Sequence, residues 1–170
     1  MDPSGVDETL EPGSLAEAVA RLALRKARAV AARLDEGLVL GADTVVVVDG
    51  EALGKPSGPA EAAAMLRRLR GRVHEVMTGV AVVERPSGRE ESQAVISRVT
   101  MKPYRDADIA AYVATEEPLD KAGAYAVQGL GGALVESVDG SWSNVVGLPL
   151  PATAALLRRF GAVVSAPPAE

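Results

Sequence analysis

The feature that most constrains this fold is an apolar run from Leu38 to Val48. The run is rich in β-branched residues and ends at Asp49-Gly50, a pair typical of hairpin turns. Because a continuous apolar run has no polar face, it predicts a strand that is covered on both sides, as in an α/β sheet. The sequence therefore favours a sheet with helices packed against it.

Asp43 lies inside this run and is its one charged residue. Burying an unpaired carboxylate costs several kcal/mol, so the side chain needs a cation, a metal or a set of hydrogen-bond donors. An Asp at a strand bend, bonded to nearby amides, is the structural alternative. The adjacent Gly41 and Ala42 favour a functional interpretation, because small residues let a ligand approach the backbone.

The remaining patterns alternate between helix and strand. Helical spacing and end signals predict four helices, over residues 14–35, 59–69, 106–115 (capped by Asp106) and 149–160. Further strands are predicted over residues 73–84, 91–102 and 133–138. Since there is no strict βαβ rhythm, we predict an α/β fold with a mixed, twisted sheet flanked by helices. We predict one domain over residues 1–163 and a disordered tail over 164–170.

Composition excludes several classes of protein. The net charge of −5 argues against a general nucleic-acid or membrane-surface binder, which needs a surplus of Lys and Arg. No apolar run has the length of a membrane span, and residues 1–12 do not have a signal-peptide pattern. The absence of cysteine suits a reducing compartment. We therefore predict a cytoplasmic protein; its sequence is compatible with a homodimer.

Three further segments contain unexplained charges. Lys55, in the segment LGKP at 53–56, follows the hairpin that turns the chain back, so we expect it near Asp43, either as a structural ion pair or as a phosphate ligand. A glycine-rich loop contains Lys121 and Gln128, and its backbone N–H groups suit an anion or a base edge, although a flexible connector is equally compatible. Asp7-Glu8 taken alone is typical of solvated charge. His74, the only histidine, has no catalytic or metal-ligand pattern around it, so we expect a structural role.

Taken in order, these segments resemble the Maf family of nucleoside triphosphate pyrophosphatases. The matching motifs include VLGADTVV at 39–46, LGKP at 53–56, and EEPLDKAGAYAVQGLGG at 116–132. SGVDE at 4–8, LALRKA at 22–27 and NVVGLPL at 144–150 extend the match from the first residues to the last helix. The resemblance implies an elongated, two-lobed fold with a central cleft, similar to that of ITP pyrophosphatases.

The resemblance also implies roles for individual residues. The catalytic Asp of the family, its proton acceptor, matches Asp43. Positions implicated in substrate binding or activity match Glu8, Lys26, Lys55 and Lys121. The family requires a divalent cation, Mg²⁺ or Mn²⁺, for which Asp43 and Glu8 are the candidate ligands. Cations that neutralise a triphosphate and a carboxylate that activates water suit attack on the α-phosphorus.

The expected nucleotide follows from two positions. Family branches that act on dTTP and UTP look like Ala-Asp-Thr with a later Gln-Gly, which Thr44 and Gln128 match here. Branches that act on 7-methyl-GTP look like Ser-Asp-Gln with Glu-Gly. A Gln amide suits the O4/N3 edge of uracil or thymine, whereas a carboxylate suits the donor edge of guanine. We therefore expect a dTTP/UTP pyrophosphatase that removes unwanted nucleotides from the pool. Alternatives are a 7-methyl-GTP or broad-specificity enzyme and a non-catalytic inhibitor of septum formation.

One family feature is not found in these 170 residues. Members begin with an apolar strand and a Ser-x-Ser-x-Arg-Arg loop that contacts phosphate, and this chain starts after that loop. A start codon assigned too late, a deliberate truncation and a degenerate protein are three explanations. The high Ala, Arg and Gly content is typical of a GC-rich genome, where start codons are often misassigned, so we favour the first.

Overall fold

The computed structural model describes residues 5–6 and 14–165, and five strands form one sheet. The strands are β1 (Gly37–Val48), β2 (Glu51–Leu53), β3 (Val73–Arg85), β4 (Glu90–Met101) and β5 (Val135–Asp139). Their order in the sheet is β2-β1-β3-β4-β5. The α/β class is confirmed. The pairs β1–β2 and β4–β5 are antiparallel, whereas the sequence predicted a mixed sheet. The two-residue turn at Asp49-Gly50 makes β1 and β2 antiparallel neighbours.

Five α-helices are described, and their bounds are α1 (Leu15–Ala31), α2 (Pro59–Leu69), α3 (Asp106–Val113), α4 (Trp142–Val146) and α5 (Leu150–Arg159). The four predicted helices are therefore confirmed, although α1 ends earlier than expected. Helix α4 was not predicted, because five residues are too few to show helical periodicity. Three short 3₁₀ turns lie in the glycine-rich region, over Glu117–Asp120, Ala122–Ala124 and Leu130–Leu134.

The start of α3 differs from the prediction. Asp106 is its first residue rather than its cap, and Arg105 holds the cap position. The Asp108 carboxylate accepts the backbone N–H of Arg105 at 2.8 Å, so the charge that stabilises this helix start lies two residues further on. The predicted tail at 164–170 lies mostly outside the described residues.

The chain divides into two compact units. Unit 1 contains the described residues up to Thr44, Met77–Val95 and those from Gly147 onward. In this unit α1 packs on one face of the strands through a cluster of small and β-branched side chains, including Ala23, Ala27 and Ala81. Helix α5 covers the other face through Leu156 and Phe160, which pack with Val80 and Val82. Strand β3 is therefore covered on both faces here, but Leu38 and Leu40 of β1 are 37% and 38% exposed, so the double cover predicted for β1 is incomplete in this unit.

Unit 2 contains Val45–Val76 and Ile96–Val146. Its core is one apolar cluster to which β1, α2, α3 and the glycine-rich region all contribute. Leu66, Leu69 and Ile109 are almost completely buried in it. None of the helices in the described part of the chain combines the length and the apolar character that crossing a membrane requires.

Candidate active site

The predicted catalytic carboxylate has a cation as its partner. In unit 1, Lys26 Nζ donates to Asp43 Oδ1 at 2.7 Å, and the two side chains are only 12% and 14% exposed. Of the three partners that the sequence allowed for Asp43, the structure therefore shows an ammonium group. A pair this close and this sheltered is costly to break, because either charge left alone would remain partly desolvated.

Two glycines explain how this pair forms. A Cβ on Gly41 would lie 2.5 Å from the carbonyl oxygen of Ala23, and a Cβ on Gly79 would lie 2.3 Å from that of Val19. The backbone of α1 therefore lies directly against β1 and β3. Lys26 follows Ala23 by three residues, and Asp43 follows Gly41 by two on the same face of its strand. The same packing thus brings the ammonium to the carboxylate.

Thr44 faces the other side of β1. Successive side chains of a strand point to opposite faces, and Ala42, two residues before Thr44, packs against the α5 cluster. Thr44 Oγ1 lies 2.9 Å from Oγ1 of the fully buried Thr78. It also lies 3.5 Å from the position that a Cβ on Gly147 would take. The structure therefore places Asp43 and Thr44 on opposite faces, although they are adjacent in sequence.

In unit 2, the segment that contains Lys55 contacts the glycine-rich region that contains Lys121. The N–H of Gly123 donates to the carbonyl of Gly54 at 3.0 Å, which joins the segment of Lys55 to the glycine-rich region. Lys121 donates to the Asp120 carboxylate. This hydrogen bond and the charges of Lys121 and Lys55 together lower the pKa of Asp120. The region therefore brings the charges of Lys55 and Lys121 close to the Asp120 carboxylate.

Gly123 is essential to that arrangement for a steric reason. Its φ is +67°, a conformation that favours glycine, and a Cβ there would lie 2.8 Å from Val46. Gln128, in the same glycine-rich region, is exposed, whereas the preceding Val127 is only 5% exposed. Glu8, the second predicted metal ligand, lies outside the described residues.

The described residues contain no group of three or more His, Asp or Glu side chains that could hold a metal by themselves. Magnesium bound with a nucleotide commonly takes one or two protein carboxylates and fills its other positions with phosphate oxygens and water. Asp43 is a hard oxygen donor of the required type. The donor set therefore fits a cation that arrives with its nucleotide better than one held by the protein alone.

Comparison with known proteins identifies the family. The chain matches the family described as Maf-like protein over residues 1–160. It belongs to the Maf family. Three similar proteins are each named dTTP/UTP pyrophosphatase. The one from Moorella thermoacetica is 53% identical over 165 residues, 95% of this chain and 84% of that protein. The one from Anaeromyxobacter sp. is 55% identical over 164 residues, 94% of this chain and 78% of that protein. The one from Geobacter sulfurreducens is 50% identical over 161 residues, 94% of this chain and 84% of that protein.

Two buried polar residues of this Maf protein were not singled out from the sequence. Thr78 is the hydroxyl partner of Thr44, and Asn144 is fully buried in unit 2. The Asn144 amide donates to the carbonyl of Val76 and to Ser97 Oγ, both at 3.0 Å, and so attaches α4 to β3 and β4. Ser141 was a sequence signal for helix α4, because a Ser is a typical helix cap. Its hydroxyl accepts the N–H of Asn144, as a cap residue does.

His74 has the structural role predicted for it. Its ring is 2% exposed and its Nε2 lies 2.8 Å from the Tyr125 hydroxyl. The two rings meet edge to face, with centroids 5.5 Å apart. Burial lowers the pKa of His74 to about 4, so the imidazole is neutral at physiological pH. It therefore packs the core of unit 2.

Proposed function

We propose that this Maf protein hydrolyses dTTP and UTP to the nucleoside monophosphate and pyrophosphate, and so removes unwanted nucleotides from the pool. The observation that carries the proposal is the sheltered Lys26–Asp43 pair, at the motif position of the family's proton acceptor. Relatives that are about half identical and bear the name dTTP/UTP pyrophosphatase support it. A cytoplasmic location is part of the proposal.

The reaction assigns a task to each group. The oxygen of a water molecule attacks the α-phosphorus, the bond from that phosphorus to the α–β bridging oxygen breaks, and pyrophosphate leaves. We assign to Asp43 the proton that the water loses. Lys26 holds that carboxylate in one position, and its positive charge favours the approach of an anionic substrate.

Further charges serve the phosphates. We assign Lys55 and Lys121 to the negative charge of the triphosphate, supported by their shared effect on Asp120. A divalent cation, when bound, neutralises phosphate charge, and Glu8 would hold it. Asp43 would be its second ligand in the competing assignment, in which Asp43 is not the base. Thr44 and Gln128 are assigned to nucleotide choice, as the family motif implies.

The test measures pyrophosphate release from dTTP, UTP, CTP and 7-methyl-GTP with Mg²⁺ or Mn²⁺. Asp43→Asn keeps the shape of the side chain and removes the base, so we expect kcat to fall by roughly 10²–10⁴. Asp35→Asn is the matched control, because Asp35 is an exposed residue just before β1 and its substitution should leave kcat unchanged.

Three outcomes would contradict parts of this proposal. Equal activity of the Asp43→Asn variant would exclude Asp43 as the base. A preference for 7-methyl-GTP would contradict the dTTP/UTP preference inferred from Thr44 and Gln128. No turnover of any of the four nucleotides by the wild-type chain would reject the enzymatic function.

A further inference from the structure

The residue assigned to base choice lies at the tip of a well-fixed turn. The turn runs from Ala126 to Gly129 and is closed by the Gly129 N–H, which donates to the Ala126 carbonyl at 3.2 Å. Val127, its second residue, is 5% exposed and belongs to the core of unit 2. Gln128, its third residue, is exposed. The turn therefore anchors one side chain in the core and presents the next to solvent.

Two side chains from the preceding segment hold both ends of this turn. The Glu117 carboxylate accepts the N–H of Leu130 at 3.0 Å and that of Gly131 at 2.9 Å. The Tyr112 hydroxyl accepts the N–H of Ala126 at 3.1 Å and donates to Glu117. We call Glu117 and Tyr112 the turn clamp.

Two glycines of the loop allow the backbone to approach the turn clamp closely. A Cβ on Gly129 would lie 2.0 Å from Glu117 Oε1, and a Cβ on Gly131 would lie 2.4 Å from the Tyr112 hydroxyl oxygen. No larger residue fits at either position without displacing the clamp. These glycines therefore provide close approach to two side chains, which is the opposite of a flexible connector.

The charge of Glu117 suits this task. Burial by itself raises the pKa of the Glu117 carboxyl, but the N–H groups of Gly131 and Leu130 and the Tyr112 hydroxyl bring it below its ordinary value. The group is therefore a carboxylate at neutral pH, with acceptor capacity for all three donors. Hydrogen bonds to a charged acceptor are stronger than those between neutral groups.

We infer that Glu117 and Tyr112 are positioning residues for base selection, acting through the turn that presents Gln128. The inference rests on the proposed function, since it takes Gln128 as the residue that contacts the base. An amide has a donor end and an acceptor end, so a Gln that moves freely can pair with uracil or with cytosine. The turn clamp fixes the backbone position from which the amide reaches the base, and so limits which edge of the base the amide can meet.

Three variants test this role, and each removes a different property. Glu117→Gln leaves one acceptor oxygen for the two loop N–H groups. Glu117→Asp keeps the charge but is one methylene too short to reach both. Tyr112→Phe removes the hydroxyl and keeps the ring that packs in the core. Glu116→Gln is the matched control, because Glu116 is the neighbouring exposed carboxylate.

The measurements are kcat and KM for UTP and CTP, together with amide hydrogen exchange at residues 126–132. Each clamp variant should raise KM for UTP with little change in kcat, because ground-state and transition-state binding of the base weaken together. The ratio of kcat/KM for UTP over CTP should fall about tenfold, as expected for the loss of one hydrogen bond to a charged group. Exchange should accelerate at Leu130 and Gly131 in the Glu117 variants and at Ala126 in Tyr112→Phe, and the control should match the wild type.

A merely structural role gives a different result. In that case thermal stability falls, kcat/KM decreases equally for UTP and CTP, and the inference is overturned. Unchanged exchange at Leu130 and Gly131 in Glu117→Gln also overturns it. If the wild-type chain hydrolyses neither nucleotide, the proposed function fails. The dissociation constants of UMP and CMP are then measured in place of turnover. Preference for UMP that Glu117→Gln abolishes then supports the inference, whereas a wild-type protein without that preference overturns it.

Discussion

Acidification from pH 7 to pH 5 is expected to destabilise unit 2 through the single histidine of the chain. The His74 ring is 2% exposed, and its Nδ1 is buried with no hydrogen-bond partner within the described part of the chain. A second proton on this ring would therefore create a desolvated imidazolium with an unsatisfied donor. Burial accordingly lowers the pKa of His74 from 6.5 to about 4.

The sign and size of the effect follow from proton linkage. Below pH 6.5 the unfolded chain binds a proton at this position, whereas the folded chain does so only near pH 4. The stabilisation is therefore fully present above pH 6.5 and is lost as the pH falls. Two such pKa values predict a loss of roughly 2 kcal/mol between pH 7 and pH 5, and of about 3 kcal/mol by pH 4.

Urea unfolding of the wild-type protein and of His74→Gln at pH 7, 6 and 5 measures this contribution. Glutamine can still reach the Tyr125 hydroxyl but does not titrate. Carboxyl groups with lowered pKa, such as Glu90 and Glu91, are common to both proteins and cancel in the difference. The stability advantage of the wild type should shrink by about 2 kcal/mol between pH 7 and pH 5. An advantage that is the same at both pH values would refute the reasoning.

Two substitutions test the packing. Gly79→Ala places a Cβ 2.3 Å from the Val19 carbonyl oxygen and should cost about 1–3 kcal/mol in urea unfolding, because α1 must move. Gly58→Ala, where nothing lies within 4 Å, is its control; equal stability of the two variants would contradict the close packing of α1. Asn144→Ala removes two donors to buried acceptors and should cost about 2 kcal/mol or more. An unchanged urea midpoint for that variant would show that α4 does not depend on the amide.

The α/β class and most element positions were predictable from local patterns. The run around Asp43 indicated a doubly covered strand, and burial alone indicated that the carboxylate needs a partner. That the partner is Lys26 was not predicted: the hairpin suggested Lys55 as the lysine near Asp43, and no periodicity connects a helix residue to a strand residue 17 positions later. The interpretation of Gly41 as space for a ligand was wrong. That space is filled by the backbone of α1, an approach that only the tertiary structure reveals.

Contacts between residues far apart in sequence also limited how much of the candidate site could be predicted. Glu117 reaches Leu130 and Gly131 across a loop without regular periodicity, so neither hydrophobic pattern nor spacing identified it. The loop glycines were noted in the sequence, but a glycine needed for close approach and one needed for flexibility look the same there. Lys121 and Gln128 were noted as unexplained polar residues, and their assigned roles stay predictions.

In the turn, Val127 is buried in the core and Gln128 is exposed, and this has a consequence for the nucleotide choice proposed for Gln128. The core contact of the turn belongs to one residue and the exposed side chain to the next, so position 128 can accept a different residue without loss of apolar burial. Surface exchanges of this kind usually alter stability by less than about 0.5 kcal/mol. If Gln128 selects the base as proposed, single substitutions there would change the preferred nucleotide at little cost in stability, whereas a larger residue at Gly129 or Gly131 would displace the clamp.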